Sequence, residues 1–175
     1  MTAIQTGELP QVALLLKYSQ NGAYADCYFV DMPRTVSQAE FVEAFYTSNV
    51  FRIERAILSI LASKPSTDRQ AKQLATDETR TFAAWSVEDR TPNQLLLCDF
   101  LGRTRSWLMS VVDESGGSTK TRLYFGSAVV PNVDPASGRK SFGFGFHALM
   151  GFHRLYSRTL LRVACSRLLR SRDSK

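Results

Sequence analysis

Between residues 81 and 132 the chain has room for strands but none for crossovers. Four runs, 81–88, 94–101, 103–113 and 119–132, are rich in β-forming residues, and only residues 89–93, Gly102 and the Glu-Ser-Gly-Gly-Ser segment 114–118 separate them. Links this short cannot return a chain to a parallel neighbour, so the four runs form an antiparallel meander. A fifth strand over 23–31 (AYADCYFVD), ending before Pro33, must join it from a distance. With 175 residues, 44% of them hydrophobic and 22% charged, the chain reads as one globular domain with a real core.

The remaining periodic segments are helical. Ser37 opens Ser-Gln-Ala-Glu, a capping box, and Val36, Ala39, Val42, Phe45 and Tyr46 follow at helical spacing. Ile53, Ile57, Ile60 and Leu61 predict a second helix over about 50–61, ending before Lys64-Pro65. The polar residues 67–77 read as a short third helix or a loop. In the last segment Leu149, Phe152, His153, Tyr156, Leu160, Val163 and Ala164 gather on one side at about 100° per residue, opposite Arg154, Arg158 and Arg162. This amphipathic helix of roughly five turns must lay its apolar side on the sheet. Arg167 would fall on that apolar side, so fraying is expected there.

The order of elements, one strand, two helices, a run of antiparallel strands and a long final helix, predicts an α+β fold with a curved antiparallel sheet wrapped around the C-terminal helix. The chain resembles the helix-grip fold of the START-like superfamily (SRPBCC, the polyketide cyclase and lipid-transfer group). Within it the chain is similar to a bacterial family of uncharacterised domains, sometimes fused behind short-chain-dehydrogenase-like domains. The resemblance spans residues 23–165. It rests on Tyr24-Ala25-Asp26, on Arg52 to Leu58 (RIERAIL), on Gly138-Arg139, on Phe152-His153-Arg154-Leu155, and on Leu160-Leu161-Arg162. Gly151 stands where the family has Pro before the Phe-His pair, which admits a bend there. The resemblance implies one helix-grip domain over 23–166, between an N-terminal extension (1–22) and a basic tail (167–175). It also implies a cavity between sheet and final helix, open to a hydrophobic or amphipathic ligand, and no particular reaction.

Charge and cysteine narrow the partners. Residues 1–146 hold 15 Lys/Arg and 15 Asp/Glu, so the whole net charge of +6 sits on the last segment. A nucleic-acid-binding surface would spread basic residues over the body, so none is expected. The Arg154, Arg158, Arg162 stripe reads as a solvated helix face or as a weak contact for an anionic membrane surface or acidic partner. Cys27, Cys98 and Cys165 are odd in number and far apart, which speaks against a disulfide framework or a zinc site. The apolar run 12–16 has no basic region before it, and the longest charge-free stretch, 141–153, is too short to span a bilayer. A cytoplasmic protein with no transmembrane segment and no cofactor is the expectation.

Motifs for a fixed chemistry are missing: residues 138–143 carry P-loop-like glycines without the Lys-Ser/Thr, and neither G-x-S-x-G nor H-E-x-x-H occurs. His147 and His153, six residues apart, cannot share a helix face and so cannot hold one metal. His153 faces the sheet, either as a satisfied core histidine or as an acid–base group. Asp26, Glu88 and Asp99 sit in strands that disfavour acids; Arg103 or Arg105 could pair Asp99, and Arg52 or Arg55 could pair Asp26. Trp85, Trp107, Tyr124, Phe125, Phe142, Phe144 and Phe146 are core or pocket lining, and the Phe-Gly-Phe-Gly-Phe run suits an entry segment. The expected ligand contacts are Asp26, Trp85, Asp99, Arg105, Trp107, Tyr124, Phe144, Phe146 and His153. His153 and Asp99 are the acid–base candidates if a cyclase, dehydratase or hydrolase works in the cavity.

Overall fold

The computed structural model describes residues 3–53, 55, 66–114, 119–133, 137–142 and 146–170, with residues 146–152 as helix backbone. Two short elements, β1 (Gln5–Thr6) and α1 (Leu16–Gln20), precede β2 (Tyr24–Met32). Helix α2 (Gln38–Tyr46) starts at the expected box: Ser37 Oγ accepts from the Glu40 amide while the Glu40 carboxylate accepts from Ser37 N. A further helix, α3, begins at residue 49 and is described to residue 53; the rest of the helix expected to 61 lies outside the described residues, apart from residue 55. The polar segment after it is α4 (Asp68–Ala75), fixed by a second capping box between Thr67 and Gln70, with Ala71, Leu74 and Ala75 buried.

Strands β3 (Thr81–Phe82), β4 (Trp85–Thr91), β5 (Gln94–Asp99), β6 (Thr104–Asp113) and β7 (Lys120–Val129) follow, then a ribbon of β8 (Asn132–Val133) and β9 (Lys140–Ser141), and α5 (Phe146–Arg170). The described residues form a seven-stranded antiparallel sheet in the order β1-β2-β7-β6-β5-β4-β3. The meander is therefore present, with β2 beside β7, and the molecule is α+β with a large antiparallel sheet and a C-terminal helix.

Three boundaries differ from the reading of the sequence. The run 81–88 is two strands, because Ala83 takes a positive φ of 52° and turns the chain without a glycine to signal it. The run 119–132 ends as a sheet strand at Val129, and residues 132–133 pair with β9 instead. Helix α5 continues past Arg167 to Arg170, since the Arg167 guanidinium leaves the apolar face and donates to the Thr47 carbonyl at 2.6 Å.

Alternating side chains of the strands enter two separate cores. One face carries Tyr28, Val30, Leu97, Leu108 and Phe125, covered by α2, α4 and α5, whose Leu160, Leu161, Ala164 and Leu168 are buried. Helix α5 packs on α2 and reaches β2 and β7. The other face carries Cys27, Leu96, Trp107, Met109 and Ala128, and is covered by the N-terminal segment through Ala13 and Leu15. Gly126 permits this closeness: a Cβ there would lie 2.8 Å from the Asp26 carbonyl oxygen and 2.9 Å from both Leu15 and Trp107.

Polar contacts pin that segment. Gln94 accepts from Leu14 N and donates to the Val12 carbonyl, each at 2.9 Å. Glu88 receives Lys17 at 2.8 Å, Arg105 at 2.6 Å and the Tyr18 hydroxyl. Burial works to raise the Glu88 pKa and is outweighed by these three donors, so it lies below its ordinary value. Asp31, bidentate with Arg122 across β2 and β7, is lowered chiefly by those hydrogen bonds. In contrast, burial and the Asp26 charge push Cys27 and Tyr28 up to about 12, and burial does the same to Cys165.

These opposite shifts predict a bell-shaped stability profile. Carboxylates held below their ordinary values of 3.8 and 4.5 stabilise the fold above those values and lose that contribution as pH falls through them. Thiols and a phenol raised from 9.0 and 10.0 stabilise below those values and lose it as pH rises towards about 12. Urea midpoints measured from pH 3 to 11 should be flat between about 5 and 8.5 and fall on both sides. A flat alkaline limb would show that the thiols and Tyr28 ionise as readily folded as unfolded.

Candidate functional site

A cavity of about 530 Å³ opens between the sheet and the helices α3 and α5. Phe45, Phe51, Phe125, Tyr156 and Leu160 make most of its wall, and the exposed side chains of Ile53 and Phe100 lie at its rim. Its polar members are Trp85 and Asp99 from β4 and β5, Thr104, Arg105 and Ser106 from β6, Ser127 from β7, and His153 and Ser157 from α5. These helix residues repeat at four, so both lie over the same flank of α5.

Under α5 a chain of hydrogen bonds joins helix to sheet. Asp26 and Ser127 are register partners of β2 and β7, and both Ser127 N and Oγ donate to Asp26 Oδ1, at 3.0 and 2.7 Å. Ser127 Oγ is also 2.6 Å from His153 Nε2, which stands 3.5 Å from Asp26 Oδ2. A serine hydroxyl has one proton; with it given to the Asp26 carboxylate, Ser127 must accept from His153 Nε2–H. This assigns the proton to Nε2. The order is acid–serine–histidine, so the serine is not activated by the histidine as a nucleophile would be.

The chain stands between two openings, the second at β2 beside the N-terminal segment. His153 and Ser127 line the apolar cavity, whereas Asp26 lines a more polar recess of about 720 Å³ with Tyr24, Arg154 and Arg158. Burial acts first to raise the Tyr24 pKa, and the Arg154 side chain beside it works against that.

The other residues singled out from the sequence fall as follows. Trp85, Asp99 and His153 line the cavity. Asp99 Oδ1 accepts from Arg103 N at 2.7 Å and Thr104 N at 3.0 Å, so it caps the β5–β6 turn, and neither Arg103 nor Arg105 pairs it. Arg105 borders the cavity, but its guanidinium serves Glu88 and lies over the Tyr18 ring. Arg52 and Arg55 hold Asp68, not Asp26. Trp107 and Tyr124 contact one another within the second core, on the opposite face of the sheet. Phe144 lies outside the described residues, as do the side chains of Phe146 and His147. Phe142 is half-buried, just after β9. Arg154, Arg158 and Arg162 are exposed. Among the described residues no group of three or more His, Cys, Asp or Glu could hold a metal, and no helix is long and apolar enough to cross a membrane.

Sequence reasoning passed over Ser127 and Ser157. A signal existed for the second: a small hydroxyl residue four positions after His153, inside the apolar stripe of α5. For Ser127 there was none, because its importance comes from register with Asp26. No protein-family model, curated protein or solved structure matches the chain.

Proposed function

We propose that the chain is a small-molecule-binding module of helix-grip type, holding an apolar or amphipathic ligand between the sheet and α5, as in the START-like superfamily that its sequence resembles. The observation that carries this is the 530 Å³ cavity, apolar over most of its wall and interrupted by a few fixed polar groups. Small-molecule sites have that size and that composition. The element order and the position of α5 across β2 and β7 agree with it.

The test is a thermal-shift screen with fatty acids, sterols and aromatic compounds, followed by native mass spectrometry of the hits. A ligand at about 100 times its Kd adds roughly 2.7 kcal/mol, or about 5–10 °C in Tm for a chain of this length. Leu160→Trp, which puts an indole into the cavity, should abolish the shift. A panel without any response, or shifts that Leu160→Trp leaves intact, would remove the proposal.

A second reading, an enzyme that moves protons in the same cavity, is favoured by one feature: His153 lines the apolar space while its Nε2 is bonded to a buried Ser127–Asp26 pair. Such a backing fixes tautomer and ring orientation, as acid–base work requires. His153→Gln should then stop turnover of any bound compound found to react, and should spare its binding.

A further inference from the structure

The charges at the apolar cavity are of one sign. Among its described lining residues the only cationic side chain is that of Arg105, and it brings no free charge: its guanidinium is 2.6 Å from Glu88 and lies over the Tyr18 ring, towards the N-terminal segment. Arg103, in the turn beside Asp99, donates to the Val130 carbonyl and to Asn132 and does not line the cavity. Arg154 lines the recess beside Tyr24 instead, where it is exposed to solvent.

The acids are placed differently. Asp99 is half-buried in the cavity wall, next to the rim residue Phe100. Its Oδ1 is spent on the amides of Arg103 and Thr104, whereas Oδ2 takes no hydrogen bond from the described residues and is not fully buried. Asp26 backs the other end, behind Ser127 and His153, on β2, three strands from β5. At about 4.8 Å per strand the two carboxylates stand roughly 15 Å apart across the sheet, with the cavity between them. Ser127 N and Oγ are neutral donors, so they satisfy Asp26 without cancelling its charge, and His153 would cancel it only as an imidazolium.

Most of the wall between them is aromatic: Phe45, Phe51, Trp85, Phe100, Phe125 and Tyr156. Aromatic rings attract cations through their quadrupoles, more strongly where water is excluded, and aliphatic side chains do not. An anion entering this space would face two acids and lose its hydration without return. A cation meets an unbonded carboxylate oxygen at the mouth and rings behind it.

We infer that the cavity selects a cationic amphiphile, with an ammonium group beside Asp99 at the mouth and an apolar body among the aromatic rings. The inference rests on the binding-module reading and adds the charge of the ligand to it.

Probes of one shape and three charges separate the two. Calorimetric titration at constant ionic strength would compare trimethyl(2-naphthylmethyl)ammonium, its neutral carbon isostere 2-neopentylnaphthalene and the anion 2-naphthylmethanesulfonate, and the nonyl counterparts of each, on the wild type and Asp99→Asn. The asparagine keeps an oxygen for the two turn amides, so the variant should retain the wild-type Tm. The wild type should bind the ammonium at least about threefold tighter than the isostere, although water holds the cation better, and the sulfonate weakest. Asp99→Asn should weaken the ammonium by about 3–10-fold, leave the isostere within about twofold and strengthen the sulfonate. An isostere or sulfonate that binds the wild type as tightly as the ammonium, or an ammonium affinity that Asp99→Asn leaves unchanged, overturns the cation inference while the module reading stands. No binding of either skeleton in any charge form removes both.

Discussion

Trp107→Ala should lower the unfolding free energy by about 3–5 kcal/mol and loosen the N-terminal segment from the sheet. Trp107 is fully buried among Leu15, Cys27 and Met109, on the sheet face away from the helices. Its indole nitrogen bonds the same Gln94 oxygen that receives Leu14 N, so packing and the polar anchor of residues 12–14 meet at one ring. Removing the ring leaves a void too large for Ala13 and Leu15 to close and strips one donor from a buried amide oxygen. Urea unfolding measures the loss, and limited proteolysis should find new cleavage among residues 7–22. Trp107→Phe keeps most of the packing and should cost less. A loss below about 1 kcal/mol with unchanged proteolysis would mean that this second core contributes little.

The second large effect is expected at Asp26. Its side chain is 6% exposed and accepts both Ser127 N–H and Ser127 Oγ–H, with His153 Nε2 beside it. Asp26→Ala leaves these donors buried without their acceptor, each costing about 1–3 kcal/mol, and a combined loss of about 2–4 kcal/mol is expected because neighbouring terms do not add. Asp26→Asn retains an oxygen for Ser127 but turns an amide N–H towards His153. It should therefore cost less, and move the imidazole proton from Nε2 to Nδ1, readable in nitrogen-15 spectra of the histidine ring. Equal stability of the alanine variant and the wild type, with an unchanged tautomer in the asparagine variant, would show that the chain is not a coupled unit.

The same residues show how far the sequence could be read. Ser37 and Glu40 declare a helix start three residues apart, and short links force the meander of β4 to β7, because both effects act over a few residues. The apolar stripe of α5 is equally local, and its Leu160 and Ala164 enter the helix-side core, where α5 packs on α2 and reaches β2 and β7. Ala83, by contrast, turns the chain at positive φ under the constraint of the Phe82 and Trp85 pairing, which no dipeptide signal records. The candidate site was half legible: His153 and Trp85 stood out by type, whereas Ser127 gained its place only when β2 and β7 came into register.

What the amino-acid order determined alone was the helix starts, the meander strands and their antiparallel sense, since caps, turns and helical periodicity are short-range. Which strand face holds the cavity was decided by the tertiary structure. Leu95, Leu96 and Leu97 are buried in succession because the helices cover one side of β5 and residues 9–18 the other. A strand sheltered on both faces carries no alternation to read. Trp107 and Phe125 look alike in the sequence, and only the register of β6 against β7 sent one to the N-terminal core and the other to the cavity.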